Sequence, residues 1–223
     1  MGNLIVIEGT DCSGKETQTK LLVEKLEKLG RKVIRYSFPM YDTPTGKIVG
    51  GPYLGKEYIS NGWFSEGATN VDYRVASLYY AADRVYNINK INDKLNDGYD
   101  VILDRYVYSN MAHQGAKLEG VEERIDLYNW LDTLEFNLLK LPIPNIKIFL
   151  HMPTKYSIEL RKGRNEAADQ HESDINHLNR AEQAYLEIAD KYNFNTIECV
   201  NNDTIRTIED INNELYSIID LTK

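Results

Sequence analysis

Ten consecutive residues, Gly9 to Gln18, read GTDCSGKETQ. Glycines at Gly9 and Gly14, with a lysine directly after the second, are the means of wrapping backbone N–H groups around a phosphate. The glycines let Thr10, Asp11, Cys12 and Ser13 turn their amides inward, and Lys15 brings a point charge to the β- and γ-phosphates. The pattern asks next for Ser or Thr, whose hydroxyl meets a magnesium ion. Glu16 stands there instead, and the hydroxyl comes one residue later, at Thr17. Successive helical residues point about 100° apart. Glu16 is therefore expected to face solvent in the first helical turn, where negative charge is favoured, with Thr17 facing the nucleotide.

Such a loop needs a strand leading in and a helix leading out. NLIVIEG, residues 3–9, is a short apolar run ending at glycine, which predicts a buried strand. Leu21, Leu22, Leu26 and Leu29 then recur at helical spacing, with Gly30 past the end. KVIRYSFP predicts a second strand, closed by Pro39. Residues 71–95 predict a long helix with Val71, Val75, Leu78, Ala82, Val85, Ile88, Ile91 and Leu95 along one stripe. YDVILDRY, NIKIFLHM and FNTIECV predict three more strands, and residues 205–219 a last helix. Strands alternating with helices imply an α/β domain of P-loop NTPase type: three layers, α/β/α, with a five-stranded parallel sheet. Ligands in such sheets bind at the carboxyl ends of the strands. The richest motifs, at Gly9, Phe38 and Asp104, all fall there.

Composition narrows the partners. The 223 residues suit a single domain. The net charge of −8 argues against duplex nucleic acid, which needs a basic footprint. No window approaches the ~20 apolar residues of a membrane span, and no secretory leader is expected. Cys12 and Cys199 need not pair, so a reducing cytoplasm is expected. His113, His151, His171 and His177 lack zinc-site spacing.

With the third strand in view, a resemblance emerges. DRYVYSNMAHQGA, from Asp104 to Ala116, resembles the Asp-Arg-Tyr signature of thymidylate kinases and related nucleoside monophosphate kinases. GTDCSGK resembles their loop, SFPMYD their Phe-Pro segment and LYYAADR their base-binding helix, in the same order over residues 1 to about 192. The resemblance implies ATP as donor, Mg²⁺ as cofactor, a deoxynucleoside monophosphate (dTMP first) as acceptor, and a homodimer. It implies that Asp104 helps hold the metal, that Arg105 clamps the acceptor phosphate, and that Asp11 accepts the sugar 3′-hydroxyl. Tyr80 and Arg84, four apart and so on one helical face, match the pair that stacks on the base and donates to its carbonyl. Phe38, Ser109, Asn110, His113 and Gln114 match further substrate positions. The sequence departs from the family pattern where an arginine usually follows Phe-Pro. Met40 and Tyr41 stand there, leaving Tyr41 a single hydroxyl for the acceptor phosphate.

Residues 155–175 resemble the family's mobile lid, a segment that closes over phosphates and brings in cations. Cys12 and Ser13 are not basic, which in this family points to catalytic arginines in the lid, Arg164 first and Arg161 second. A solvated basic turn is the plain alternative. Asp174 is a weaker candidate near substrate or metal. A monophosphate with a second pKa near ~6 is a dianion at neutral pH and needs no general base. The protein must bring two anions into line and neutralise charge on the transferred group. Rival readings are a deoxynucleoside kinase, which would want a carboxylate base near the second strand, with Asp42 the nearest, and a nucleotide-binding regulator without catalysis.

Overall fold

The computed structural model describes residues 1–161 and 174–220. β1 (Leu4–Gly9), β2 (Val33–Ser37), β3 (Asp100–Asp104), β4 (Ile146–His151) and β5 (Asn195–Glu198) form one parallel sheet in the order β2-β3-β1-β4-β5. Successive strand side chains point to opposite faces, and both faces of β1 are apolar. Leu4 and Val6 join one core cluster, Ile5 and Ile7 the other. The first cluster packs under α3 (Tyr73–Asn96), α4 (Val107–Gly115), α5 (Val121–Asp132) and α7 (Ile175–Lys191). The second packs under α1 (Lys15–Lys28) and α8 (Ile208–Asp220), through Leu22, Leu26, Ile211 and Leu215. Each such side chain stabilises the fold by about 1.5–3 kcal/mol. This is the three-layer α/β/α arrangement that the alternation predicts.

Register sets the site. Ile7 of β1 and Ser37 of β2 both pair with Asp104 of β3. The loop after β1, the Phe-Pro segment after β2 and the Asp104 segment therefore emerge side by side. Between β2 and α3, α2 (Pro44–Ile48) runs into a π-helical segment, Val49–Tyr53. Residues 49–76 carry a third cluster of their own, including Val49, Tyr53, Leu54, Ala68 and Val71. Lys117 ties it down, donating to Tyr53 Oη at 3.2 Å, Ala68 O at 2.9 Å and Val71 O at 2.7 Å.

Two expectations need correction. The stripe read along residues 71–95 meets the core at Ile88, Ile91 and Leu95 but not along its earlier turns. Val75, Leu78 and Val85 are 41%, 51% and 37% exposed, and Val71 precedes the helix. The buried face of α3 is instead Ala76, Ser77, Ala81, Asp83, Arg84 and Asn87, reverting to Ile91 and Leu95 at the end. Periodicity tells which residues share a face; here paired polar groups made the other face fit the interior. The last helix begins at Ile208, because β6 (Val200–Asn201) and β7 (Thr204–Ile205) form a hairpin. Asn202 and Asp203 both take positive φ, 48° and 56°, which suits a tight hairpin turn. The remaining helix is α6 (Thr154–Arg161). Among the described residues no helix is long and apolar enough to cross a membrane.

Candidate active site

A single cavity at the carboxyl ends of β1, β2 and β3 gathers most of the expected residues. Asp11, Cys12, Ser13, Gly14, Lys15 and Glu16 border it on one side; Phe38, Tyr41, Tyr80, Arg84, Arg105, Ser109, Asn110 and His113 border it on the other, with Asp104 between.

The loop is shaped by two glycines for different reasons. Gly14 has φ of 80° and caps α1, a conformation that favours glycine. At Gly9 a Cβ would lie 2.5 Å from Ser13 Oγ and 2.8 Å from Leu150 O, so the loop could not close. Lys15 is 6% exposed, and its ammonium donates to Gly9 O at 2.9 Å and Thr10 O at 2.7 Å. Burial, then the Arg105 charge, lowers its pKa to about 8, although Asp11, Asp104 and Glu8 pull the other way. Thr10 sends its hydroxyl to Met152 O at 2.7 Å and anchors the loop to the residue that follows β4. Glu16 behaves as expected: it is exposed and pairs with Lys20 at 2.6 Å, one turn along α1. Thr17 does not. It too is exposed, and it is not among the described residues bordering the cavity, because the inward positions of that turn are Lys15, Gln18 and Thr19.

The acceptor side is held by ion pairs. Arg105, at the unusual φ of 69°, pairs with Asp11. It also reaches Ser109 Oγ at 3.4 Å, His113 Nε2 at 3.4 Å and Tyr185 Oη at 3.3 Å. Burial works against the Asp11 carboxylate, but Arg105, with His113 and Lys15, holds its pKa well below the ordinary value. Asp104 accepts from Arg35 Nη2 at 2.5 Å, while Arg35 Nε donates to Thr19 Oγ1 at 2.6 Å. Arg84 is 2% exposed and clamped by Glu135 through two bonds, 2.5 and 2.6 Å. Tyr80 meets Tyr53 edge-on at 5.7 Å. His113 stacks on His177 of α7 at 5.7 Å.

Gln114 is fully buried and not among the described residues bordering the cavity, one turn beyond Asn110 on α4. Both of its amide atoms, with Asn110 Oδ1 and Ser77 Oγ, are buried without a hydrogen-bond partner. Met40 is 7% exposed and packs in the core, its N–H donating to Asp83 Oδ2 at 2.9 Å. Arg161 ends α6 and is not among the described residues bordering the cavity. Arg164 and nearly all of the expected lid lie outside the described residues, while Asp174 caps α7 by accepting from His177 N–H at 3.0 Å.

Four contributors escaped the sequence reading. Glu8, buried at 0% exposure, accepts from Tyr106 N–H at 2.8 Å and Ser109 N–H at 3.1 Å, fixing the start of α4. Burial raises its pKa, against the Ser109 bond and the Arg105 charge. An acid inside the apolar run NLIVIEG was the available signal. Arg35 carries the same kind of signal in β2. Glu135, in the π-helical segment Thr133–Leu138, and Tyr185, on α7, stand in ordinary amphipathic sequence and carry none.

Among the described residues no three His, Cys, Asp or Glu side chains gather to hold a metal. Mg²⁺ keeps several waters and takes one or two carboxylates plus substrate phosphates. A lone Asp104 beside a phosphate loop fits that habit.

The thymidylate kinase family model matches residues 7–211. A protein named "Probable thymidylate kinase" from Thermococcus gammatolerans is 32% identical, over 99% of this chain and 97% of its own. A "Thymidylate kinase" from Schizosaccharomyces pombe is 27% identical over 98% and 91%. A solved thymidylate kinase from Candida albicans superposes with a TM-score of 0.75 at 27% identity, covering 99% of this chain and 92% of that one. With its loop, its Asp104-Arg105 pair and its sheet order all in place, the chain belongs to the thymidylate kinase family of enzymes.

Proposed function

We propose that the chain transfers the γ-phosphoryl group of ATP to dTMP, giving dTDP and ADP. The carrying observation is that one cavity joins the loop of Gly9–Lys15 to Asp11, Arg105, Tyr80, Arg84 and Asn110. Donor and acceptor anions would meet there.

On this reading the loop amides and Lys15 hold the donor phosphates. Arg105 holds the acceptor phosphate, and Asp11 takes the sugar hydroxyl. Their ion pair positions each for its partner and opens as the phosphate replaces the carboxylate. Tyr80 offers a stacking face. Arg84, fixed by Glu135, and the amide of Asn110 read the base edge. The unpartnered Oδ1 of Asn110, which borders the cavity, supports a polar ligand, since such an atom costs about 1–3 kcal/mol while unsatisfied. Asp104 would hold Mg²⁺, which when bound neutralises charge on the phosphates. Arg164, with Arg161 second, would complete the site from the lid.

The acceptor dianion attacks without a base. Asp42, the nearest candidate base for a sugar-hydroxyl acceptor, is exposed and is not among the described residues bordering the cavity. The exposed stripe of Val75, Leu78 and Val85 on α3 supports a homodimer through that face. The reaction is tested by ³¹P NMR of ATP, Mg²⁺ and dTMP with the protein. Equal growth of dTDP and ADP is expected; intact ATP and dTMP would overturn the reading.

A further inference from the structure

Four cations border the cavity among the described residues: Lys15, Lys56, Arg84 and Arg105. Three have settled tasks. Lys15 is bonded into the phosphate loop, Arg84 is locked on Glu135, and Arg105 is paired with Asp11. The fourth is Lys56. Lys56 comes from the segment after the π-helical turn, and its ammonium stands 5.5 Å from the centre of the Tyr41 ring.

That segment is folded to bring it there. Gly55 takes a φ of 67°, and Lys56 N–H donates back to Gly50 O at 2.8 Å. Gly55 N–H does the same to Gly51 O, at 2.8 Å. At Gly50 a Cβ would lie 2.8 Å from Tyr41 Cδ1 and 2.3 Å from Ile59 Cδ1; at Gly51 it would lie 2.2 Å from Ser60 Oγ. Only hydrogens fit, so the turn carrying Lys56 sits directly against Tyr41. Met40, beside Tyr41, points into the core. A dianion entering between Tyr41 and Arg105 would find one guanidinium, one phenol hydroxyl and, from the facing segment, this ammonium.

We propose that Lys56 is the second cation on the acceptor phosphate, delivered from a remote segment to the wall where Tyr41 stands. The assignment rests on the reading of this cavity as a site for a nucleoside monophosphate. A lysine suits the role because a mobile ammonium meets a phosphate as a point charge.

The test is calorimetric binding of dTMP, thymidine and ATP to the wild type, Lys56→Met and Lys56→Arg. Lys56→Met is expected to lose roughly ten- to a hundredfold in dTMP affinity, the worth of a bond to a charged group. Thymidine and ATP binding should stay unchanged, and Lys56→Arg should retain most of the dTMP affinity. Unaltered dTMP binding in Lys56→Met overturns the proposal. Equal losses for dTMP and thymidine overturn it too, since Lys56 would then shape the pocket rather than hold phosphate. A wild type that binds dTMP more tightly than thymidine, loses that difference in Lys56→Met and yet makes no dTDP supports Lys56 as a phosphate ligand while removing the proposed reaction.

Discussion

On the donor side, consecutive residues after β1 surround the phosphate position mainly with main chain, and Lys15 adds the positive charge. On the acceptor side, charged side chains meet from distant stretches: Asp11 with Arg105, Arg84 with Glu135, Arg35 with Asp104. The donor side is a local conformation, whereas the acceptor side is a product of the tertiary fold. Catalysis and stability should therefore separate between them. Changes on the donor side act on rate; changes on the acceptor side act on folding and on acceptor binding.

The sharpest way to break that contrast is Lys15→Met. Turnover is expected to fall about a hundred- to a thousandfold, the usual loss when one preorganised donor to a charged transition state is removed. Denaturant stability should change little, because relief of the buried Lys15 charge offsets the loss of its bonds to Gly9 O and Thr10 O. A large loss of stability would show that the loop is held by its lysine.

Glu135→Gln is the counterpart across the cavity. It leaves the buried Arg84 charge uncompensated, so stability is expected to fall by about 3–5 kcal/mol in urea unfolding. The pair of changes Arg84→Met and Glu135→Leu should cost less stability than Glu135→Gln alone, while still raising the KM for dTMP. If Glu135→Gln leaves stability intact, the acceptor side is not built on that pair.

A pH profile sharpens the donor side. Lys15 is cationic below its lowered pKa of about 8 and neutral above it. Its folded pKa lies below the unfolded value, so the charge weakens the fold fully below about pH 8, and that cost fades as pH rises from about 8 toward the ordinary lysine value. Phosphate attraction runs the other way. kcat/KM for ATP, which reports the free enzyme, is expected to fall above about pH 8, and the decline should vanish in Lys15→Met.

The smallest effect is expected at Glu16→Ser. Its pair with Lys20 is exposed on both sides, so stability should change by no more than about 0.5 kcal/mol. ATP binding should hold as well. A marked change in nucleotide binding would show that Glu16, at the cavity's border, meets the nucleotide or its metal.

The same contrast explains what could be read in advance. Gly9, Gly14 and Lys15 are neighbours in sequence, so their spacing already specified the loop. The sheet was legible because its strands are short apolar runs with one period. The polar inner face of α3 was not, since Asp83, Arg84 and Asn87 fit the interior through partners far along the chain, among them Met40, Thr43, Thr45 and Glu135. Tyr80 and Arg84 were placed on one face correctly, but the clamp on Arg84 lies 51 residues away. Lys56 was invisible for a related reason: its position depends on glycines packing against Tyr41, a contact that spacing does not encode.

The decisive experiment is a competition. With ATP and Mg²⁺ in excess, equal amounts of dTMP, dUMP, dCMP and dGMP are offered together and the diphosphates separated over time. A pocket made by Tyr80, Arg84 and Asn110 around the phosphate clamp of Arg105 predicts that dTDP appears first and fastest. Preferential formation of dCDP or dGDP, or the absence of any nucleoside diphosphate beyond ADP, would contradict it.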